Sequence, residues 1–319
     1  MKATRPKRSL GDLLRVLGTL LAVGLLVYLL SSQGWDQILA SIRQISLGRF
    51  ALVVGMACVS RLAIGGRWSS LLLLSGVRMP LGRILRINYA GLFASNFLPT
   101  SIGGDIVRLA GAVQLGSDRA RYVSSIAVDR LVGLAGMAVL LPVGASQVLG
   151  GQGLGSFQAI PALIPAVAAA VEVSWFGRMW GKAVRALRES LRVLAAWVSR
   201  PKALLAALGF TWLHMLIKFS AMRLLFSALH EDLTFWEIAG LWSFVYFIAL
   251  FPISINSLGL MEVSTGLVFS TIGGAAVGSA LTVALLIRTA ETLATLPGVI
   301  SLPGILALRR AQEAEEHQG

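Results

Sequence analysis

Charge is what this sequence has least of. Only 13% of its 319 residues are charged, against 56% hydrophobic, and the mean hydropathy is +0.77. A soluble domain of this length carries charge on about a quarter of its residues, so the composition excludes one and points to an integral membrane protein. Acids are scarcest, fifteen against 28 Lys and Arg, for a net charge of +13. The basic residues fall in short clusters between apolar runs. That pattern orients spanning helices and lacks the single basic face of a nucleic-acid binder, so nucleic acid is not an expected partner. The single cysteine, Cys58, lies in an apolar run, forms no internal disulfide and reads as a packing residue. The three histidines, His214, His230 and His317, share no metal-ligand spacing, and no metal or other cofactor is expected.

Long apolar runs are what the sequence does have. Spans are expected near 12–31, 48–66, 122–142, 159–176, 203–229 and 277–300. The first follows "MKATRPKRSL" and is roughly 20 residues long, too long for a signal-peptide core, so it reads as an uncleaved helix with a cytoplasmic N-terminus. Two more apolar stretches, 87–113 and 238–274, contain breakers: "NFLPTSIGGDIVRLAG" (96–111) and "FPISINSLGLMEVS" (251–264).

Basic clusters set the expected topology. The N-terminal segment has Lys2, Arg5, Lys7, Arg8 and Arg15 against Asp12. Segment 61–86 has Arg61, Arg67, Arg78, Arg83 and Arg86 without an acid, and 178–202 has seven basic residues against Glu189. All three are expected in the cytoplasm. The uncharged 143–158 and the acidic "HEDLTFWE" (230–237) are expected outside. For the spans to alternate, 87–113 must then enter and leave from the cytoplasm, and 238–274 from outside, each as a re-entrant hairpin. Each half thus reads span, amphipathic connector (33–45 or 178–199), span, hairpin, span, in opposite orientations. The expected fold is an all-α polytopic membrane protein with six spanning helices and two re-entrant hairpins, an inverted-topology repeat. It forms one transmembrane domain over 1–319, with halves near 1–145 and 155–310, a polar tail at 311–319, and both termini cytoplasmic.

Non-helical backbone inside a bilayer must be covered by protein or water, so the tips Pro99–Gly104 and Pro252–Gly259 are expected at the repeat interface or along a wet cavity. Gly103 and Gly104 allow close approach of a ligand, and the helix after them offers free N–H groups to an anion. Read plainly, the same stretches are kinks or surface loops. Asp105, Arg108, Asp129, Arg130, Lys218, Glu262, Arg288 and Glu291 are intramembrane charges, which face a partner or an aqueous path. Arg108 follows Asp105 by three residues and Arg288 precedes Glu291 by three, so each pair can share a helix face. Asp129 and Arg130 point apart. These charges read either as structural ion pairs or as an anion site in which guanidinium groups grip phosphate oxygens. His214 reads as a packing residue four positions from Lys218, and 178–199 as an interfacial anchor.

"NFLPTSIGGDIVRL", "VDRLVGL" (128–134) and "FPISINSLGLMEVS" together resemble the signature segments of the flippase-like family that includes the transmembrane part of lysylphosphatidylglycerol synthases. "GRWSSLLLLSG" (66–76) is similar to the end of that family's second helix. The third segment departs from the more glycine-rich form usual there. The resemblance implies movement of an amphiphilic lipid between leaflets of the cell membrane. It places Asn96, Pro99, Gly103, Gly104, Asp105 and Arg108 in a first signature and Asp129 and Arg130 in a second. Pro252, Ser254, Gly259 and Glu262 form the third. No synthase-type soluble domain follows, so the protein is not expected to make aminoacyl lipids itself.

The expected function is a lipid translocase in which Arg108, Arg130 and Arg288 bind a lipid phosphate while Asp105 and Glu262 balance charge or carry a proton. Glu291 completes the candidate lipid-binding residues, and Asp105 and Glu262 are expected at one shared cavity. The alternative is an integral-membrane enzyme acting on a lipid phosphate or glycolipid, which lacks a motif-like nucleophile or metal cluster. A scaffold for lipid-pathway enzymes is a third reading. A separate lipid-biosynthesis enzyme is a possible partner.

Overall fold

A computed structural model describes residues 20, 23–28, 30–31, 35–74, 76–77, 79–97, 103–113, 119–149, 201–250 and 257–305. Among them the regular elements are all helices. In chain order they are α1 (Trp35–Gln44), α2 (Leu47–Leu74), α3 (Leu81–Phe97), α4 (Gly103–Val113), α5 (Arg119–Ala138), α6 (Leu141–Leu149), α7 (Pro201–Ala228), α8 (Phe235–Ala249), α9 (Leu260–Thr271) and α10 (Val277–Ala294). Residues 298–305 are also helical. The connector expected at 33–45 is α1. The expected span 159–176 and connector 178–199 lie outside the described residues, as do Pro99, Pro252 and Ser254. So does most of 12–31, of which residues 20, 23–28 and 30–31 are helical.

Four helices among the described residues are long and apolar enough to cross a membrane: Leu47–Leu73, Ala120–Val148, Pro201–Ala228 and Val277–Ala294. The second joins α5 and α6 through a turn at 139–140. Lengths separate these from the hairpin arms. At 1.5 Å per residue, α2 and α7 reach about 42 Å. By the same rise α3, α4, α8 and α9 reach about 25, 16, 22 and 18 Å, short of the ~30 Å hydrocarbon core. The arms begin earlier than expected, at Leu81 and Phe235, because no breaker follows either position until the tips.

One expectation is corrected outright. Arg61 and Arg67, counted with the cytoplasmic segment 61–86, both lie within α2, which runs past the expected end of that span at 66 to Leu74. The apolar run "LLLL" continues past them, and the first breaker is Ser75–Gly76. There Gly76 adopts φ +88°, and Gly76 and Val77 donate to the carbonyls of Leu73 and Leu72, a Schellman stop.

α2 and α7 form the centre and run antiparallel: Gly66 meets Phe210, Ser60 meets His214, and Val53 and Ala57 share a cleft with Ala221. Around them, α3 packs on α2 and α4, α4 on α5, and α5 on both α2 and α7. Likewise α8 packs on α7 and α9, α9 on α10, and α10 on both α7 and α2. Each hairpin is antiparallel. In the first, Gly91 faces Gly104 and Ile87 faces Gly111; in the second, Leu241 faces Gly273 and Ser257 bonds the Ala249 carbonyl. A Cβ on Gly104 would sit 2.5 Å from the Gly91 carbonyl oxygen, so glycine is what lets these two helices touch through backbone.

Apolar side chains fill the rest. Phe219, Phe226 and Phe269 are fully buried among α7, α8, α9 and α10, with Phe226 stacked on Phe269 at 5.2 Å. Leu52, Leu62, Leu205, Trp212 and Leu216 are exposed on α2 and α7, as a lipid-facing surface requires.

Candidate functional site: two ion-pair groups on a shared helix pair

The first group gathers where α4 begins. Asp105 falls in the first turn of α4, where the helix dipole favours an anion, and Arg108 stands one turn on. Arg108 Nη1 donates to Asp105 Oδ1 at 3.1 Å, the i,i+3 pairing expected from the sequence. Both Nη1 and Nη2 also donate to Asp129 Oδ2, each at 3.1 Å. Arg67 Nε reaches the other oxygen, Oδ1, at 2.7 Å. Asp129 is 1% exposed, and two guanidinium groups satisfy both its oxygens. Its neighbour Arg130 turns the other way and pairs with Asp105, so adjacent residues on α5 serve different partners.

Packing fixes the geometry. The Arg108 guanidinium lies 4.4 Å from the Trp68 ring centroid, a cation–π contact, and Trp68 Nε1 donates to Ser125 at 3.2 Å. Arg67 Nη1 reaches Thr211 of α7 at 3.4 Å.

The second group gathers where α9 begins. Gly259, at φ +78°, caps α9, and Glu262 lies in its first turn. Glu262 pairs with Arg288 of α10. Glu291 does not pair with Arg288, despite the three-residue spacing. Instead Arg61 of α2 and Lys218 of α7 hold it, each at 2.9 Å. A helix running beside two cation-bearing helices directs Glu291 outward to them, and Arg288 toward the neighbouring α9. Lys218 Nζ also lies 4.1 Å above Trp242. His214 Nδ1 is 2.6 Å from Ser60 Oγ, the packing role expected of it.

Of the remaining candidates, Asn96 donates to Thr295 Oγ1 at 2.9 Å and ties α3 to the end of α10. Gly103 and Gly104 are buried at the start of α4. The cleft beside these groups borders Lys218 and Glu291, not Asp105 or Glu262, and its volume of about 10 Å³ admits one water at most.

Arg61 and Arg67 are the functional candidates that the sequence reading missed. Counting basic residues assigns them to the cytoplasmic segment 61–86, because their acids lie in distant segments. The signal available was the uninterrupted apolar run through Leu74.

The two groups are alike in charge. Among the described residues, Arg67, Arg108 and Arg130 face Asp105 and Asp129, while Arg61, Lys218 and Arg288 face Glu262 and Glu291. Each group holds three cations to two acids. Within each, one arginine is the most open member: Arg130 at 45% side-chain exposure and Arg288 at 28%. Both contact the acid in the first turn of a hairpin's second arm.

A comparison with curated proteins found no match. The lysylphosphatidylglycerol synthase TM region family matches residues 15–298, most of the chain. A membrane protein by its helices and by this match, the chain belongs to the family of the lysylphosphatidylglycerol synthase transmembrane region.

Proposed function

We propose that the protein is a translocase for a membrane lipid with an anionic headgroup, built as an inverted repeat with six spans, two opposed re-entrant hairpins and cytoplasmic termini in the cell membrane. The observation that carries this reading is the charge of the two ion-pair groups. Among the described residues each keeps one cation in excess of its acids in a low-dielectric setting, which favours a phosphate-bearing ligand. The open arginines, Arg130 and Arg288, are the groups that leave a carboxylate to take a phosphate. The opening they guard becomes the shared cavity between Asp105 and Glu262.

Packing supports the repeat. Exchanging α2 with α7, α3 with α8, α4 with α9 and α5 with α10 turns each pairing described for one half into a pairing of the other. The equivalent helices α2 and α7 run antiparallel, as opposite orientation requires. Asp105–Arg130 then corresponds to Glu262–Arg288, and Asp129–Arg67 to Glu291–Lys218. Alternating release of the two pairs moves a headgroup across while its tails stay in lipid.

The test reconstitutes the full chain in vesicles with fluorescent phosphatidylglycerol and follows loss of outer-leaflet signal after a membrane-impermeant quencher. Translocation is expected to exceed that of protein-free vesicles, with the lipid recovered unaltered. Recovery of covalently changed lipid would establish the enzyme alternative, and no excess over empty vesicles removes the reading for this lipid. Mass spectrometry of copurifying lipid names the substrate.

A further inference from the structure

The two equivalent acids are not held alike. Asp105 has two arginine partners: Arg130, and Arg108 at 3.1 Å. If Arg130 turns to a phosphate, Arg108 remains and Asp105 stays a paired carboxylate. Glu262 has Arg288 on Oε1, while its Oε2 is buried without a hydrogen-bond partner among the described residues, and the residue is 3% exposed. Charged and titratable groups on the elements packed against α9 are Arg288 and Glu291 of α10, Glu237 and Tyr246 of α8, Tyr28 of the N-terminal helical residues, and Lys202, His214, Lys218 and Arg223 of α7, which meets α9 where Phe226 stacks on Phe269. Glu291 is engaged by Arg61 and Lys218. Glu237 closes the capping box at Thr234, at the opposite end of α8 from the hairpin tip. Tyr28 is 67% exposed. Of these groups, Arg288 is the one whose charge is in contact with Glu262.

From this asymmetry we infer that Glu262 is the binding site of a co-transported proton, taken up when a phosphate-type anion captures Arg288. The inference rests on the lipid-phosphate reading above. Capture of Arg288 leaves a buried carboxylate with no other cation paired to it among the described residues. Holding that charge unpaired is less favourable than neutralising it. One proton, drawn from bulk water as the site opens to the anion, adds to Oε2, whose lone pair is not engaged by a hydrogen bond among the described residues. A singly charged phosphodiester then enters together with one proton, so the bound state carries the same net charge as the empty one. The first group takes no proton, because Arg108 keeps Asp105 compensated. The repeat is therefore symmetric in packing and asymmetric in coupling.

Calorimetry on the purified full chain in uncharged detergent tests this, repeated in buffers of different ionisation enthalpy so that binding and proton uptake are read together. The probes are short-chain phosphatidylglycerol and inorganic phosphate. Wild type is expected to take up about one proton per bound phosphatidylglycerol, with affinity rising by up to about tenfold for each pH unit of acidification. Glu262→Gln is expected to bind without proton uptake and with pH-independent affinity, and Glu237→Gln, in the capping box at the far end of α8, to retain the uptake. Phosphatidylglycerol binding without a proton in wild type overturns the inference and leaves the lipid reading standing; so does uptake that persists in Glu262→Gln. Phosphate binding with an uptake that Glu262→Gln abolishes, and no phosphatidylglycerol binding, sustains the proton site and overturns the lipid; phosphate uptake that Glu262→Gln retains belongs to the phosphate itself and overturns the inference. Binding of neither probe overturns both. Should Glu262→Gln fail to fold, the wild-type proton count and pH slope still decide.

Discussion

Arg67 and Asp129, 62 residues apart in the sequence, meet at 2.7 Å between α2 and α5 with both side chains largely shielded from solvent. Removing one member of such a pair strands the other in a low-dielectric interior. Asp129→Asn strands Arg67 and leaves Arg108 with Asp105 as its acid partner, and is expected to destabilise the fold by about 3–5 kcal/mol. Thermal unfolding in detergent reads it as a large drop in Tm. An unchanged Tm would mean that water reaches the group.

Arg130 and Arg288 should behave differently, because their exposure places them at the rim of each group. Arg130→Lys and Arg288→Lys keep the charge and lose the planar fork that grips phosphate. Each is expected to slow lipid translocation roughly tenfold, about 1.4 kcal/mol, with little change in Tm. Vesicle assays at wild-type rate would reduce both to packing residues.

The hairpins rest on backbone contact, and glycine substitutions probe it. A methyl at Gly104 meets the Gly91 carbonyl at 2.5 Å, and overpacking of this kind costs about 1–3 kcal/mol. Gly104→Ala is expected to lower Tm, whereas Gly55→Ala, which meets nothing within 4 Å, should leave it unchanged or raised. Equal effects at the two positions would contradict the close α3–α4 approach.

Topology has its own check. In a Cys58→Ser background, Ala120→Cys at the start of α5 is expected to react with an impermeant thiol reagent only from the cytoplasmic face. Trp236→Cys near the start of α8, 61% exposed, is expected to react only from outside. Labelling of residue 120 from outside would remove the first re-entrant hairpin.

Local signals made the hairpins legible. Glycine followed within three residues by an acid, inside apolar sequence, marked the starts of α4 and α9, and i,i+3 spacing found Asp105–Arg108. Partnerships between distant segments were not legible. Positive-inside counting treats an arginine solvated in a loop and one neutralised by a distant acid as the same letter, so Arg61 and Arg67 were misplaced. The Arg288–Glu291 spacing misled for a related reason: a shared helix face states proximity, and the neighbouring helices decide who pairs. Asn96 was legible as a signature residue, but nothing near it in sequence announces Thr295.

Arg61 and Arg67 stand on one unbroken helix, roughly 9 Å apart along its axis, and each fastens it to a different charge group. Its partner α7 is fastened twice as well, through Lys218 and through Thr211. A rod bolted at two points transmits motion: a slide of α2 that lengthens its hold on Asp129 displaces its hold on Glu291 in the same stroke. The two charge groups are thus geared to one another by a rigid shaft, and in the proposed translocase leakage past both at once requires that shaft to break.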